Sequence, residues 1–432
     1  MTNCETPPPP VVDGSTVYVA IDAGGIGATV DRALDVAGAG VRHVVVCGPR
    51  PGAGKTGAVA WAGQLGRWMP TDTPHVTRSA LRARLAADGV DVHVTRIEPW
   101  FGEHVAPADA AEAMRIIRHA GALVGVRPYG TPGQTGRRML AAVWEARGLE
   151  WPSCPPDVAA LLRSTSGQGR FQVFDNDGGA ELVSIDARFQ YGALALGELP
   201  TGEPVEQTAE PDVYAPSWCE VDFAPAPGGV LGVLGVRSLG RWHWPSDGGP
   251  YRTWCSGAEI HAARDAGYLV TVRRAIVWPS KARTLAPWVR IIVKQRDRLD
   301  ALPIGAGVKR AARNGLRAMV VQAIGAIHGG AGVTDGAPPV LCASAYKTGG
   351  ASLDHPEWTT AIYATARARL ARQMLAQTAP VVACALDGYY VAGEPVLQPD
   401  NGAPGRWREV WRCGPWSPVA TMADIYALRG ES

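Results

Sequence analysis

IDARFQYGALALGELP (185–200) and VVACALDGYYV (381–391) each run an apolar, strand-like segment into an aspartate, Asp186 in the first and Asp387 in the second. The patterning predicts that both acids sit where a strand gives out. An aspartate beside glycine after an apolar run is also an ordinary strand-ending turn, so neither alone identifies chemistry. Taken together they suggest two-metal nucleotidyl transfer. Phosphoryl transfer needs rigidly placed carboxylates that hold divalent ions against the attacking and leaving oxygens and offset the charge on phosphorus.

A chain of 432 residues has room for two or three domains of about 100 to 200 residues each. With 46% hydrophobic and 19% charged residues the chain is of the folded, globular class, and 52 Gly and 35 Pro imply many turns. A net charge of +2 means that any nucleic-acid contact must come from local patches. The eight cysteines include no C-x-x-C pair and the nine histidines no H-E-x-x-H set, which predicts reduced thiols, a cytoplasmic setting and no zinc site. MTNCETPPPP lacks the basic and apolar regions of a signal peptide, so residues 1–16 are expected to be a disordered Pro-rich tail. The longest uncharged stretch, AMVVQAIGAIHGGAGVT (318–334), is short for a bilayer span, and no membrane partner is expected.

Along the chain, STVYVAIDAGGIG (15–27) and VRHVVVCG (41–48) read as strands, with helical patterns over 57–68, 78–87 and 107–120, hence an α/β region over 17–155. A short helix, DVAALLRS, and a Gly-rich link, STSGQGR, lead to two strands, FQVFD and ELVSID, that read as a hairpin around DNDGG. Further strands and the helix GAEIHAARDAGY (257–268) fill the stretch to about 285. Two helices, roughly 284–300 and 307–328, come next. In the second, Leu316, Met319, Val320, Ala323 and Ile327 share one face, and Arg310, Arg313 and Arg317 another. A helical cationic face lying between two strand-end carboxylates in sequence suits a triphosphate, although a solvated basic face would look the same.

The order of these segments resembles the family B DNA polymerases, most closely their small protein-primed type. IDARFQYG is similar to that family's first palm motif, D-x-x-S-L-Y-P, which implies metal binding by Asp186 and packing of Tyr191 beneath the deoxyribose, with Gly192 where Pro is usual. LRAMVVQAIG resembles the fingers motif K-x-x-x-N-S-x-Y-G, placing Arg317 on the triphosphate-binding lysine and Gly325 on the glycine. Val321, Gln322 and Ile324 replace its Asn, Ser and Tyr. CALDGYYV resembles D-T-D-S, with Asp387 on the second aspartate and Ala385 in place of the first. SGQGR (166–170) resembles the Y-x-G-G link that touches the template strand, implying DNA contacts at Gly167, Gly169 and Arg170 beside Arg310 and Arg313, and Arg296 falls on a second basic fingers residue.

The resemblance implies an α+β chain: an exonuclease-like, ribonuclease H-like α/β domain (17–155), a palm (156–285 and 331–432, with a minimal thumb) and helical fingers (286–330). It implies a DNA-directed DNA polymerase using Mg²⁺ or Mn²⁺, with primer-template DNA, deoxynucleoside triphosphates and a terminal priming protein as partners. In VYVAIDAGGIG only Asp22 remains of the exonuclease D-x-E pair, Gly24 standing for the Glu, so proofreading is not expected. Two other readings stay open. One is a polymerase-derived DNA-binding protein without catalysis. The other is a P-loop-type NTPase built on Lys55 in CGPRPGAGKTG (47–57), where Pro49 occupies the first glycine position of G-x-x-x-x-G-K-T.

Overall fold

A computed structural model describes residues 9–22, 24–49, 61, 64–70, 80–85, 89–102, 104–128, 130–167, 169–174, 176–212, 214–229, 231–238, 241–329 and 353–430. The chain divides into two compact units, Met1–Leu149 with Pro287–Ala326, and Glu150–Ala286 with Ile327–Ser432. Among the described residues no helix is long and apolar enough to cross a membrane.

In the first unit β1 (Val11–Asp13), β2 (Thr16–Ala20), β3 (His43–Gly48), β4 (Met69–Pro70), β5 (Ala80–Leu85) and β6 (Val90–Arg96) form one sheet in the order β1-β2-β3-β6-β5-β4. β2, β3 and β6 run parallel. Their valines explain why: Val17, Val19, Val44, Val46, Val92 and Val94 are buried together, and parallel strands covered on both faces need apolar β-branched residues. Residues 78–87 were expected to be helical, but the described part of this stretch, 80–85, is β5, because ALRARL pairs antiparallel with β6 and tertiary pairing overrides a local helical pattern. Of the helix expected over 57–68 only residues 61 and 64–68 are described; Trp61 is helical, but 64–68 form turns and loop, Gly66 taking a φ of 60° that no α-helix accommodates.

The helix Ala306–Ile327 belongs to this unit up to residue 326. The stripe of Leu316, Met319, Val320 and Ala323 is completely buried, while Arg310 and Arg317 are exposed and Arg313 pairs with Asp300. The backbone of this helix comes close to the helix Pro132–Arg147 at its glycines. A Cβ on Gly136 would collide with the Met319 carbonyl, and one on Gly133 would stand 3.0 Å from Gln322 Cβ. Gln322 seals the contact, its amide accepting from Gly133 N–H at 3.3 Å and donating to the Pro99 carbonyl at 3.1 Å.

The second unit contains β7 (Arg170–Val173), β8 (Leu182–Ala187), β9 (Leu199–Thr201), β10 (Val205–Gln207), β11 (Ser217–Ala224), β12 (Val236–Ser238), β13 (Arg241–His243), β14 (Tyr251–Ser256), β15 (Leu269–Val277), β16 (Ser280–Ala282), β17 (Val381–Leu386), β18 (Gly388–Ala392) and β19 (Trp407–Cys413). The main sheet has the order β19-β8-β18-β17-β7, all antiparallel, and a second has the order β10-β15-β11-β14. The expected hairpin of FQVFD with ELVSID does not form. β18 and β17, which come two hundred residues later in the chain, lie between β7 and β8, a long-range pairing that local turn signals cannot reveal. The helix Pro356–Leu375 is buried against both sheets: Leu370 and Met374 pack with Val183, Ile185 and Tyr389, and Ala368 and Ala371 with Cys219, Val221 and Ala262. A helix that is apolar on two sides fits such a position.

The glycine contact in the first unit yields a stability test. Gly136→Val should destabilise the protein by about 1–3 kcal/mol through overpacking. Gly305→Val, where no atom lies within 4 Å of an added Cβ, should be nearly neutral. Urea denaturation of the two variants compares them directly.

Candidate functional site

β8 and β18 place the two aspartates. Asp186 is paired with Gly388 across the ladder, and the next rung carries a hydrogen bond of 3.2 Å from Ala187 N–H to the Asp387 carbonyl. Asp186, near the end of β8, thus stands beside the first residue of β18, the strand that follows Asp387 directly, the two strand backbones lying about 4.8 Å apart. β17 and β18 join through a two-residue hairpin loop, Leu386-Asp387, closed by the Ala385–Gly388 pair. Asp387 is 7% exposed at its tip. On the other side of β8, Arg408 of β19 is the cross-strand backbone partner of Asp186. Sequence reading missed Arg408. Its only signal was charge within WREVWRC, and no register can be inferred from that.

Backbone strain marks the same two places. Among the described residues only Phe189 and Leu386 combine a non-glycine side chain with positive φ, at 49° and 56°. One lies three residues after Asp186 and the other immediately before Asp387. Such conformations cost on the order of 1–3 kcal/mol each and gather where a surrounding fold overrules local preference, often at functional sites. Both side chains pack against glycines. The Phe189 ring occupies the space a Cβ on Gly192 would need, and the Leu386 side chain fills the space above Gly169. Tyr191, on the helix Gln190–Ala195, is buried and meets Tyr363 edge-on with ring centres 5.4 Å apart.

The Gly-rich link is held firmly. Gly167 lies under the Trp242 indole, 2.9 Å from an ideal Cβ, and its carbonyl accepts from Arg367, which also forms a buried ion pair with Glu259 at 2.8 Å. Ser166 Oγ lies 3.1 Å from His328 Nε2, and the His328 carbonyl accepts from Arg163 Nε at 3.0 Å. Arg170 does not face outward as a DNA contact would. It is 2% exposed, donates to the Gly232 carbonyl at 2.7 Å and to Gln172, and stacks over Trp244. Burial pushes its guanidinium pKa down, so its charge is used within the fold.

Arg296, Arg310, Arg313, Arg317 and Gly325 belong to the first unit. In that unit Asp22 is engaged by Arg32 at 2.6 Å and by the Gly24 N–H at 2.9 Å. Lys55 and the rest of the P-loop-like turn from residue 50 lie outside the described residues.

Asp186 on β8 and Asp387 in the adjoining hairpin loop, with hard oxygen donors, have the chemistry that suits Mg²⁺ or Mn²⁺. Among the described residues no group of three or more His, Cys, Asp or Glu converges to hold a metal. An ion at this pair would complete its shell with backbone, water or ligand oxygens, as Mg²⁺ commonly does.

No protein-family model matches the chain, and no curated protein does. Solved structures do match. Phi29 DNA polymerase complexed with primer-template DNA and incoming nucleotide aligns at TM-score 0.56 and 12% identity, covering 87% of this chain and 77% of that one. Its complex with single-stranded DNA aligns at 0.55 and 13%, with 87% and 76% covered. Its post-translocation binary complex aligns at 0.53 and 14%, with 85% and 75% covered. The chain has a distant DNA polymerase-like fold. The match extends over both units of this mixed α+β chain.

The link offers a pH test. Burial, helped by the Arg163 charge, lowers the His328 pKa from 6.5 to about 4. The unfolded chain therefore takes up this proton first as pH falls. The stability that comes from keeping His328 neutral is full above pH 6.5 and is lost toward about pH 4. It amounts to about 3 kcal/mol. His328→Gln should remove this component, so the gap between variant and parent denaturation midpoints should narrow on acidification.

Proposed function

We propose that the chain is a DNA-directed nucleotidyltransferase that adds deoxynucleoside triphosphates to a primer 3′-hydroxyl or to the hydroxyl of a terminal priming protein. The observation that carries this reading is the ladder that pairs Asp186 with Gly388, the residue after Asp387, next to the two strained residues, in a polymerase-like fold. In this reading the second unit is the palm, Pro287–Ala326 the fingers and the N-terminal sheet an exonuclease-like domain without proofreading.

Asp186 and Asp387 would hold Mg²⁺ or Mn²⁺. When bound, the ions supply charge neutralisation at the attacking and leaving oxygens. Arg317 and Arg296 pair with triphosphate oxygens through charge-assisted hydrogen bonds, and Gly325 stands where the resemblance has its glycine. Tyr191 packs beneath the deoxyribose. Arg310 and Arg313 contact DNA phosphates, so binding weakens steeply with salt. Gly167 and Gly169 are not given template contacts, because Trp242 and Leu386 fill the space over them. Arg170 is left out of this set because its guanidinium is satisfied inside the protein.

A second reading, a DNA-binding descendant without catalysis, draws support from Ala385. It sits opposite Gly388 at the base of the hairpin, where the resemblance would place another acid.

Primer extension with Mg²⁺ and labelled dNTPs, offering DNA, RNA and protein primers, separates the two. Incorporation that falls about a hundredfold or more in Asp186→Asn and in Asp387→Asn, with DNA affinity retained, supports the enzyme. DNA binding with no incorporation from any primer supports the second reading.

A further inference from the structure

A cavity of about 230 Å³ opens in the second unit, lined among others by Trp151, Trp278, Trp358, Glu203 and Glu357. Trp278, Glu357 and Trp358 are buried and form its floor, while Ser153 and Glu203 are exposed at its rim. Two features distinguish it from a packing gap. The first is charge: two carboxylates line it, and neither lysine nor arginine does. The second is an unmet polar atom. Glu357 is 5% exposed, its Oε1 lies 2.8 Å from His355 Nδ1, and its Oε2 is buried with no hydrogen-bond partner apart from the weak thiol donor of nearby Cys154. Burying a carboxylate oxygen without a strong donor is costly, and a ligand N–H would remove the cost.

The walls add apolar and π surface. His355 stacks flat on Trp358 with ring centres 3.7 Å apart, and Trp151 meets Trp358 edge-on at 6.2 Å. The Trp358 indole N–H is fixed to the Pro200 carbonyl at 2.8 Å, so this wall is rigid. Indole surface attracts cations, and a carboxylate among indoles favours an organic cation over an anion or a neutral molecule. The volume is below the roughly 300 Å³ at which drug-sized sites begin, so the ligand is small.

We propose that this cavity binds a protonated alkylamine, its N–H groups donating to Glu357 Oε2 and its alkyl segment packed among Trp151, Trp278 and Trp358. The site is separate from Asp186 and Asp387, and no residue of the proposed polymerase machinery lines it. An anionic nucleotide does not fit its charge.

Calorimetric titration of the full chain with n-butylammonium, n-butanol and butyrate, which share size and differ in charge, tests the assignment. The account expects saturable binding of n-butylammonium, and n-butanol and butyrate weaker by about tenfold or more. Glu357→Gln should weaken n-butylammonium by about tenfold or more, and Ser153→Trp, a substitution at the exposed rim, should block the cavity without disturbing the fold. Far-UV circular dichroism checks both variants, and the rim variant carries the test if Glu357→Gln does not fold. Absence of saturable binding, equal binding of n-butanol or butyrate, or n-butylammonium binding unchanged in Ser153→Trp overturns the proposal.

Discussion

The antiparallel pairing of Leu182–Ala187 with Gly388–Ala392 is the contact on which the second unit depends. It joins segments two hundred residues apart, and loop-closure entropy makes such a pairing costly unless many buried side chains follow it. They do: Val183, Ile185, Tyr389 and Val391 pack on one face with Leu370 and Met374, and Leu182 and Tyr390 on the other with Trp416 and Ile425. A slip of one residue would turn both sets of side chains to the wrong faces. The same register that satisfies the core therefore fixes where Asp186 and Asp387 stand.

The strain at Phe189 and Leu386 follows from this arrangement. Each residue at positive φ packs its side chain against a glycine whose lack of a Cβ leaves the room, Gly192 in one case and Gly169 in the other. The link carrying Gly169 is itself anchored by the Arg367–Glu259 pair, and Glu259 also caps the helix Gly257–Asp265 through Ser256. A chain of ordinary contacts thus runs from a helix cap to the hairpin that presents Asp387.

Much of this was legible in the sequence. The buried valines of β2 and β3, the apolar stripe from Leu316 to Ile327 and the two strand-end aspartates were all visible, because each is a periodic or local signal. What stayed hidden was non-local. The interruption of the expected hairpin by β17 and β18, the strand at 80–85, the Arg408 partner of Asp186 and the inward turn of Arg170 all depend on register or burial, which the order of residues does not encode directly. The cavity beside Glu357 was hidden for the same reason, since its walls come from four separate stretches of chain.

The central claim is that Asp186 and Asp387 act as one ion site. The most direct test is a double-mutant cycle on Mn²⁺ binding, followed by electron paramagnetic resonance for the parent chain, Asp186→Asn, Asp387→Asn and the pair. A shared site predicts that either single substitution removes the same Mn²⁺ binding as both together, a strongly non-additive cycle. Additive losses, or Mn²⁺ binding unchanged by both substitutions, would contradict it.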